Sequence, residues 1–200
     1  LDVIDIVSKE NDIIIDLKIK NDLDNKSQSK FTFFDSTNLI DKDIDFVFAV
    51  GGDGTILRSI TYVRDSGVPI LGINSGRLGF LTSVQKDNVS EALVKIKENK
   101  FSIIERTLLE LKSNSSSNFF SYALNEVTIQ RKDTTSLLNI SCSINDDYLT
   151  NYWSDGLIIS TPTGSTGYSL SNGGSLVSPE SKVIILNPIA PHNINMRSLI

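Results

Sequence analysis

The sequence predicts an α/β nucleotide-binding domain built on a parallel sheet, followed by a mainly β domain. Three observations carry that expectation. DFVFAV (45–50) and VPILGIN (68–74) are near-continuous apolar runs, as strands buried on both faces require. Each is followed by a segment of helical periodicity, and a β-α-β-α order calls for a parallel sheet with flanking helices. From residue 101 onward the helical patterns give way to strands that follow one another directly.

Taken in order, DIIIDLKI (12–19) and FTFF (31–34) are short β-prone runs separated by the polar NDLDNKSQSK. After DFVFAV come two glycines, then Ile56, Leu57, Ile60 and Val63 at helical spacing, with Gly67 as a stop before Pro69. VSEALVKIKENK (89–100) sets Val89, Leu93 and Ile96 on one helical face and closes with lysines. Beyond it, FSIIERTLLELK, FSYALNEVTIQ, LLNISCSIN and YLTNYWSDGLIIS read as strands. KSNSSSN, RKDTT and NDD punctuate them, and Asp146 and Asp147 suggest a hairpin turn. The expected division is residues 1–102 for the α/β domain and 103–200 for the β domain.

The bulk properties exclude several classes. The chain has 200 residues, 40% hydrophobic and 22% charged, the profile of a soluble globular protein. Its formal net charge is −5 and its cations are scattered, which argues against nucleic acid, whose backbone is held by clustered Lys and Arg. A small anionic ligand needs only a local positive field. No apolar stretch approaches the ~20 residues of a membrane helix, and no secretory signal is visible. The one cysteine, Cys142, lies in LLNISCSI as a strand thiol, so a reducing cytoplasm is expected.

The chemistry concentrates in four stretches. The first is the strand–GGDGT–helix unit, in which glycines let a ligand approach the main chain and the helix N-terminus adds oriented N–H donors. These favour phosphate, yet Asp53 stands among them. A carboxylate there serves phosphoryl transfer if it holds Mg²⁺ or takes a proton from an attacking hydroxyl. The bland alternative is a tight turn with Asp53 as a helix cap. The second stretch, GINSGRLGFL (72–81), follows a strand's carboxyl end, where open α/β sheets bind ligands. Phe80 there could cover a base or nicotinamide ring, or be a core residue. The third, Asn125–Glu126, offers donor, acceptor and carboxylate to a ribose diol, or is part of an edge strand. The fourth, SDGLIISTPTGSTGYSLSNGG (154–174), runs a strand into small hydroxyl residues and glycines, with Ser165, Thr166 and backbone N–H groups suited to a nucleotide and Tyr168 offering an aromatic face. His192, the lone histidine, has no neighbour with which to bind metal and reads as a structural hydrogen-bonder.

These motifs, in this order and with PIAPHNINMR after them, closely resemble the NAD kinase family, in versions found in Bacteroidetes-type bacteria. YW precedes DGL, and Gly replaces the commoner Ala before Tyr168. GGDGT alone is shared with lipid kinases; the later motifs are more specific. The resemblance implies ATP-dependent phosphorylation of the 2′-hydroxyl of the adenosine ribose of NAD, giving NADP, in the cleft between the two domains. It implies Asp53 as catalytic proton acceptor, with Gly51, Gly52, Gly54 and Thr55 against the phosphates of ATP. NAD would be bound by Asp53, Gly54, Arg58, Phe80, Asn125, Glu126, Asp155, Thr166, Gly167, Tyr168, Ser169, Leu170 and Ser171, with Asp155 reaching a neighbouring subunit's site. Mg²⁺ or another divalent metal would accompany ATP, with no protein side chain assigned as its ligand. Polyphosphate is an alternative donor, and a homodimer or homotetramer is implied. Trp153, Ser175 and Ser198 depart from the family pattern of Arg, Pro and Pro. Relatives begin with a strand ahead of Leu1 and continue beyond Ile200, so both ends of the fold are expected to be missing here. Other readings are a diacylglycerol- or sphingosine-type lipid kinase, disfavoured because TILRSITYV does not match their motif, and a non-catalytic nucleotide-binding regulator.

Overall fold

A computed structural model describes residues 2–35, 43–64, 66–76, 79–114, 120–133, 135–193 and 195–200. The chain separates into two units, Leu1–Ile104 and Glu105–Ile200. Ser115, Ser116 and Ser117 of the expected loop tip, and Arg77 and Leu78 of the GRL stretch, lie outside the described residues.

In the first unit the order is α1 (Asp2–Val7), β1 (Ile14–Asp16), α2 (Asn25–Lys30), β2 (Thr32–Phe34), β3 (Val47–Val50), α3 (Asp53–Val63), β4 (Ile70–Asn74), β5 (Val84–Gln85) and α4 (Val89–Lys97). Strands β3, β4 and β5 form the expected parallel sheet, with Val47 opposite Ile70 and Ile73 opposite Val84. Its core joins Ile73 of β4 to Val89 of α4 and to Val3 and Val7 of α1, flanked by Phe48, Leu71 and Leu93. The α4 face therefore meets the sheet as its periodicity requires.

Three local features differ from the sequence expectation, each for a visible reason. The apolar run 12–19 is strand only to Asp16, whose carboxylate accepts from Lys18 N at 3.0 Å and starts a 3-10 turn, Leu17–Asp22. The polar stretch 21–30 is not a plain separator: Asp24 accepts from Ser27 N at 2.7 Å and caps α2. Finally, α3 stops at Arg64, which has φ +48, ahead of the expected stop at Gly67.

The second unit is antiparallel throughout. It contains β6 (Leu109–Glu110), β7 (Tyr122–Ala123), β8 (Glu126–Gln130), β9 (Leu138–Ile144), β10 (Asp147–Ser154), β11 (Gly156–Ser160), α5 (Tyr168–Ser171) and β12 (Ile185–Ile189). Residues 101–108 form no strand, so FSIIERTLLELK holds only the short β6, and Ile103 and Ile104 are exposed. Strands β9 and β10 make a hairpin whose turn residues are Asn145 and Asp146, both at positive φ, as a two-residue hairpin turn requires. Asp147 pairs with Ile144 instead of turning. Strand β11 lies between β12 and β8, leaving β8 at the edge of this sheet. Tyr152, Leu157 and Leu186 form the core, with the half-buried Cys142 packed against it. Among the described residues no helix is long and apolar enough to cross a membrane.

Candidate nucleotide site

In the first unit the glycine loop leaves β3 and enters α3. Gly51 adopts φ +154, and a Cβ there would lie 2.3 Å from Thr55 Oγ1, so no larger residue fits. Its N–H donates to Ile73 O at 2.8 Å, which ties the loop to β4. Gly52 and Gly54 have no described atom within 4 Å of a would-be Cβ and are exposed, leaving the backbone open to a ligand. Arg58, five residues beyond Asp53 on α3, is exposed.

Asp53 is the first residue of α3 and Gly52 is its N-cap, with no side-chain capping bond. The carboxylate instead reaches the second motif. Its Oδ2 accepts from Phe80 N at 2.9 Å and its Oδ1 from Leu81 N at 3.0 Å. The helix-cap alternative is thereby set aside, because the side chain does not serve its own helix. Phe80, 75% exposed, is not a core residue either. Buried Asn74, at the end of β4, accepts from Gly76 N at 2.7 Å and donates to Thr82 Oγ1 at 3.3 Å, shaping the turn between them.

In the second unit the hydroxyl-rich loop folds back over the start of β8. Thr161 donates its hydroxyl to Leu124 O and accepts from Gly164 N at 3.0 Å, while its own N–H donates to Asn125 O at 2.9 Å. Gly164 sits so close to that strand that a Cβ would lie 2.1 Å from Asn125 O. Gly167 passes the pair itself: a Cβ there would stand 3.0 Å from Glu126 Oε2 and 3.1 Å from Asn125 Nδ2. Glu126 Oε2 is buried without a hydrogen-bond partner. Burial pushes the Glu126 carboxyl above its ordinary range, and the Tyr168 backbone N–H draws it back only in part. A buried acceptor left open beside an amide is ready for a hydroxyl donor.

Within 166–171 the structure separates two kinds of residue. Tyr168, Leu170 and Ser171 are exposed, and Thr166 and Gly167 half-buried. Ser169 is fully buried and accepts from Asn187 Nδ2, and Ser165 exchanges bonds with Val177 N and O at 3.2 Å. Asp155, between β10 and β11, pairs its Oδ2 with Arg131 Nη2 at 2.9 Å. Thr161, Arg131 and Asn187 were not singled out in the sequence. Only the β8–β11 register, with Gly156 opposite Gln130, would have brought Arg131 to Asp155. His192 donates its backbone N–H to Trp153 O at 2.7 Å, and its side chain is exposed.

Open glycines beside a carboxylate on one unit, and a half-buried amide–carboxylate pair under a hydroxyl loop on the other, are the equipment of a nucleotide phosphotransferase. Comparison with known proteins gives the family. The sequence model of the ATP-NAD kinase N-terminal domain matches residues 6–101, and that of the ATP-NAD kinase C-terminal domain matches residues 124–200. The chain belongs to the ATP-NAD kinase family. It is 50% identical over 182 residues to an NAD kinase of Flavobacterium psychrophilum and 47% identical over 179 residues to one of Christiangramia forsetii. These matches take in 89% and 88% of this chain but 62% and 61% of the relatives, so the chain spans about three fifths of their length. Yeast NADH kinase complexed with NADH superposes at TM-score 0.79 with 27% identity, over 99% of this chain and 63% of that one. An NAD kinase from Archaeoglobus fulgidus in complex with ATP superposes at 0.67 with 28% identity, over 93% and 74%.

Proposed function

We propose that the protein is an NAD kinase, transferring the γ-phosphoryl group of ATP to the 2′-hydroxyl of the adenosine ribose of NAD. The observation that carries this reading is the Asp53 carboxylate, which does not cap α3 and stands among open glycines. In the reaction the 2′-oxygen forms a bond to the γ-phosphorus as the bond from that phosphorus to the bridging oxygen of ADP breaks. The hydroxyl proton passes to Asp53 and then to solvent. A positioned carboxylate of this kind contributes roughly 10²–10⁴-fold, and the remaining catalysis is positioning and charge neutralisation.

The other roles follow from the chemistry of each side chain. Gly51, Gly52, Gly54 and Thr55 hold phosphate, with Arg58 as the nearby cation on α3. Phe80 presents its exposed ring to the dinucleotide, a role supported by its 75% exposure beside the glycine loop's carboxylate. Asn125 and Glu126 take ribose hydroxyls, Glu126 through its open Oε2. Thr166, Gly167, Tyr168, Leu170 and Ser171 line the nucleotide site, with Ser169 bracing the loop from beneath. Asp155 acts in a neighbouring subunit's site of a homodimer or homotetramer. The two functional domains are residues 1–102 and 103–200. The protein works in the cytoplasm and supplies NADP; it needs neither nucleic acid nor a membrane.

ATP as donor is supported by the ATP complex of the archaeal relative. No group of three metal-ligating side chains is found among the described residues. A divalent cation carried in by the triphosphate would need few protein ligands, since Mg²⁺ keeps its waters and phosphate ligands. Such a cation would neutralise charge on the phosphates.

The test is an assay of the purified protein with Mg·ATP and NAD, reading NADP with a dehydrogenase that requires it. The expected result is NADP formation, reduced by at least about 10²-fold in Asp53→Asn with NAD binding retained. Absence of NADP from the unmutated protein would sink the proposal.

A further inference from the structure

We propose that residues 79–81 are the positioning device for Asp53, acting through two backbone N–H groups and through the missing side chain of Gly79. The proposal rests on the reading of Asp53 as proton acceptor and extends it. Asp53 opens a helix at a half-exposed position, and nothing in α3 holds its carboxylate. Consecutive amides of another segment hold it instead, Phe80 N on Oδ2 and Leu81 N on Oδ1. A two-point grip fixes both side-chain torsions and the plane of the carboxylate, and hydrogen bonds to a charged acceptor are the strong kind. A carboxylate has about four lone-pair sites, so each oxygen keeps one for a substrate hydroxyl.

The grip requires the two segments to meet more closely than any side chain permits. A Cβ on Gly79 would lie 2.1 Å from Asp53 Oδ1, 2.6 Å from Cγ and 2.8 Å from Oδ2. Real Cβ atoms do not come so near, so any residue but glycine at 79 must push the carboxylate or the loop away by up to about an ångström. The constraint is local: at Gly52, Gly54 and Gly76 no atom of the described residues lies within 4 Å of where a Cβ would stand. The segment is itself anchored. Gly79 N donates to Thr82 Oγ1 at 3.4 Å, and the same oxygen accepts from buried Asn74 at the end of β4. Position thus passes from strand β4 through Thr82 and Gly79 to the base. Phe80 donates to Oδ2 by its backbone while its ring stays exposed, so whatever stacks on that ring loads a residue already bonded to the base.

A kinetic double-mutant cycle in the full protein reads this device. Gly79→Ala is expected to lower kcat about 10–100-fold, the scale of a misplacement of about an ångström. KM for NAD and ATP should stay within about threefold, since a group that acts in the transition state is the one displaced. In an Asp53→Ala background the same Gly79→Ala change should cost less than about twofold, because no base remains to misplace. Additive losses, or an unchanged kcat in Gly79→Ala, would overturn the proposal. A second measurement needs neither activity nor a folded Gly79 variant. In Asp53→Ala the amides of Phe80 and Leu81 should shift in the NMR spectrum and exchange with solvent at least about tenfold faster. Amides that do neither would also overturn it. Lack of NADP from the unmutated protein would sink the kinase reading alone, leaving the amide result to decide the grip.

Discussion

Glu126→Gln should make the ligand-free protein more stable at neutral pH. Glu126 Oε2 is buried without a partner, and burial holds the carboxyl above its ordinary value of 4.5. A carboxyl whose folded pKa is raised binds its proton more tightly folded than unfolded. Its favourable contribution is therefore complete below pH 4.5 and is lost as pH climbs through the raised value. Above that point the protein buries an unpartnered negative oxygen. Leaving a buried polar atom unpaired costs roughly 1–3 kcal/mol, and the half-exposed remainder of this side chain puts the cost near about 1 kcal/mol. Glutamine keeps the shape and an acceptor for the Tyr168 N–H but removes the charge. Thermal melts across pH 4–8 should show no difference at pH 4 and a Tm about 2–4 °C higher for Glu126→Gln at pH 7.5, the shift that 1 kcal/mol gives a chain of this size. Saturating NAD should reverse the order, since ribose hydroxyls would satisfy the charged oxygen best. A difference that is flat with pH, or a wild type more stable at pH 7.5 without ligand, would refute the reasoning.

Tyr152 OH is likewise buried and unpartnered, so Tyr152→Phe should be neutral or stabilising by up to about 1 kcal/mol in urea melts; a loss above that would reveal a partner for the hydroxyl. Gly164→Ala would drive a Cβ into Asn125 O and should cost about 1–3 kcal/mol, with NAD affinity falling alongside because the displaced strand carries Asn125 and Glu126. Arg131→Ala leaves Asp155 without its cation in a place where both side chains are 27% exposed. The expected loss is about 1 kcal/mol in low salt, shrinking in 1 M NaCl, and calorimetry at the two salt levels would measure it.

What could be read from the sequence was what is local. Strand β4 and helix α3 follow from periodicity within ten residues, and the NDD turn from residues that tolerate positive φ. Short α1 and α2 carry too few turns for a periodic signal, and only the Asp24 cap marks the latter. Arg64 ends α3 in a conformation its side chain does not advertise. The partners of Asp53 lie 27 and 28 residues away and are backbone amides, which any amino acid but proline would supply. The sequence does hold one trace of that contact, the glycine at 79, but a glycine that admits a carboxylate looks the same as one that turns a loop.

The hydroxyl loop makes the same point from the other side. Its composition suggested ligand chemistry for Ser165, Thr166 and Tyr168 and the family resemblance extended it to residues 166–171, yet neither says which way a hydroxyl faces. Thr161, Ser165 and Ser169 are buried and bonded to Leu124, Val177 and Asn187. Gly164 and Gly167 lie close against Asn125 and Glu126, beside the buried and unpartnered Glu126 Oε2. Small hydroxyl residues are needed there because the backbone of a buried loop must be satisfied from within, where a larger side chain would hold the loop off β8. The motif is therefore unusual for two reasons at once. Its exposed members present a face to solvent, and its buried members tie the loop by hydrogen bonds to Leu124, Val177 and Asn187.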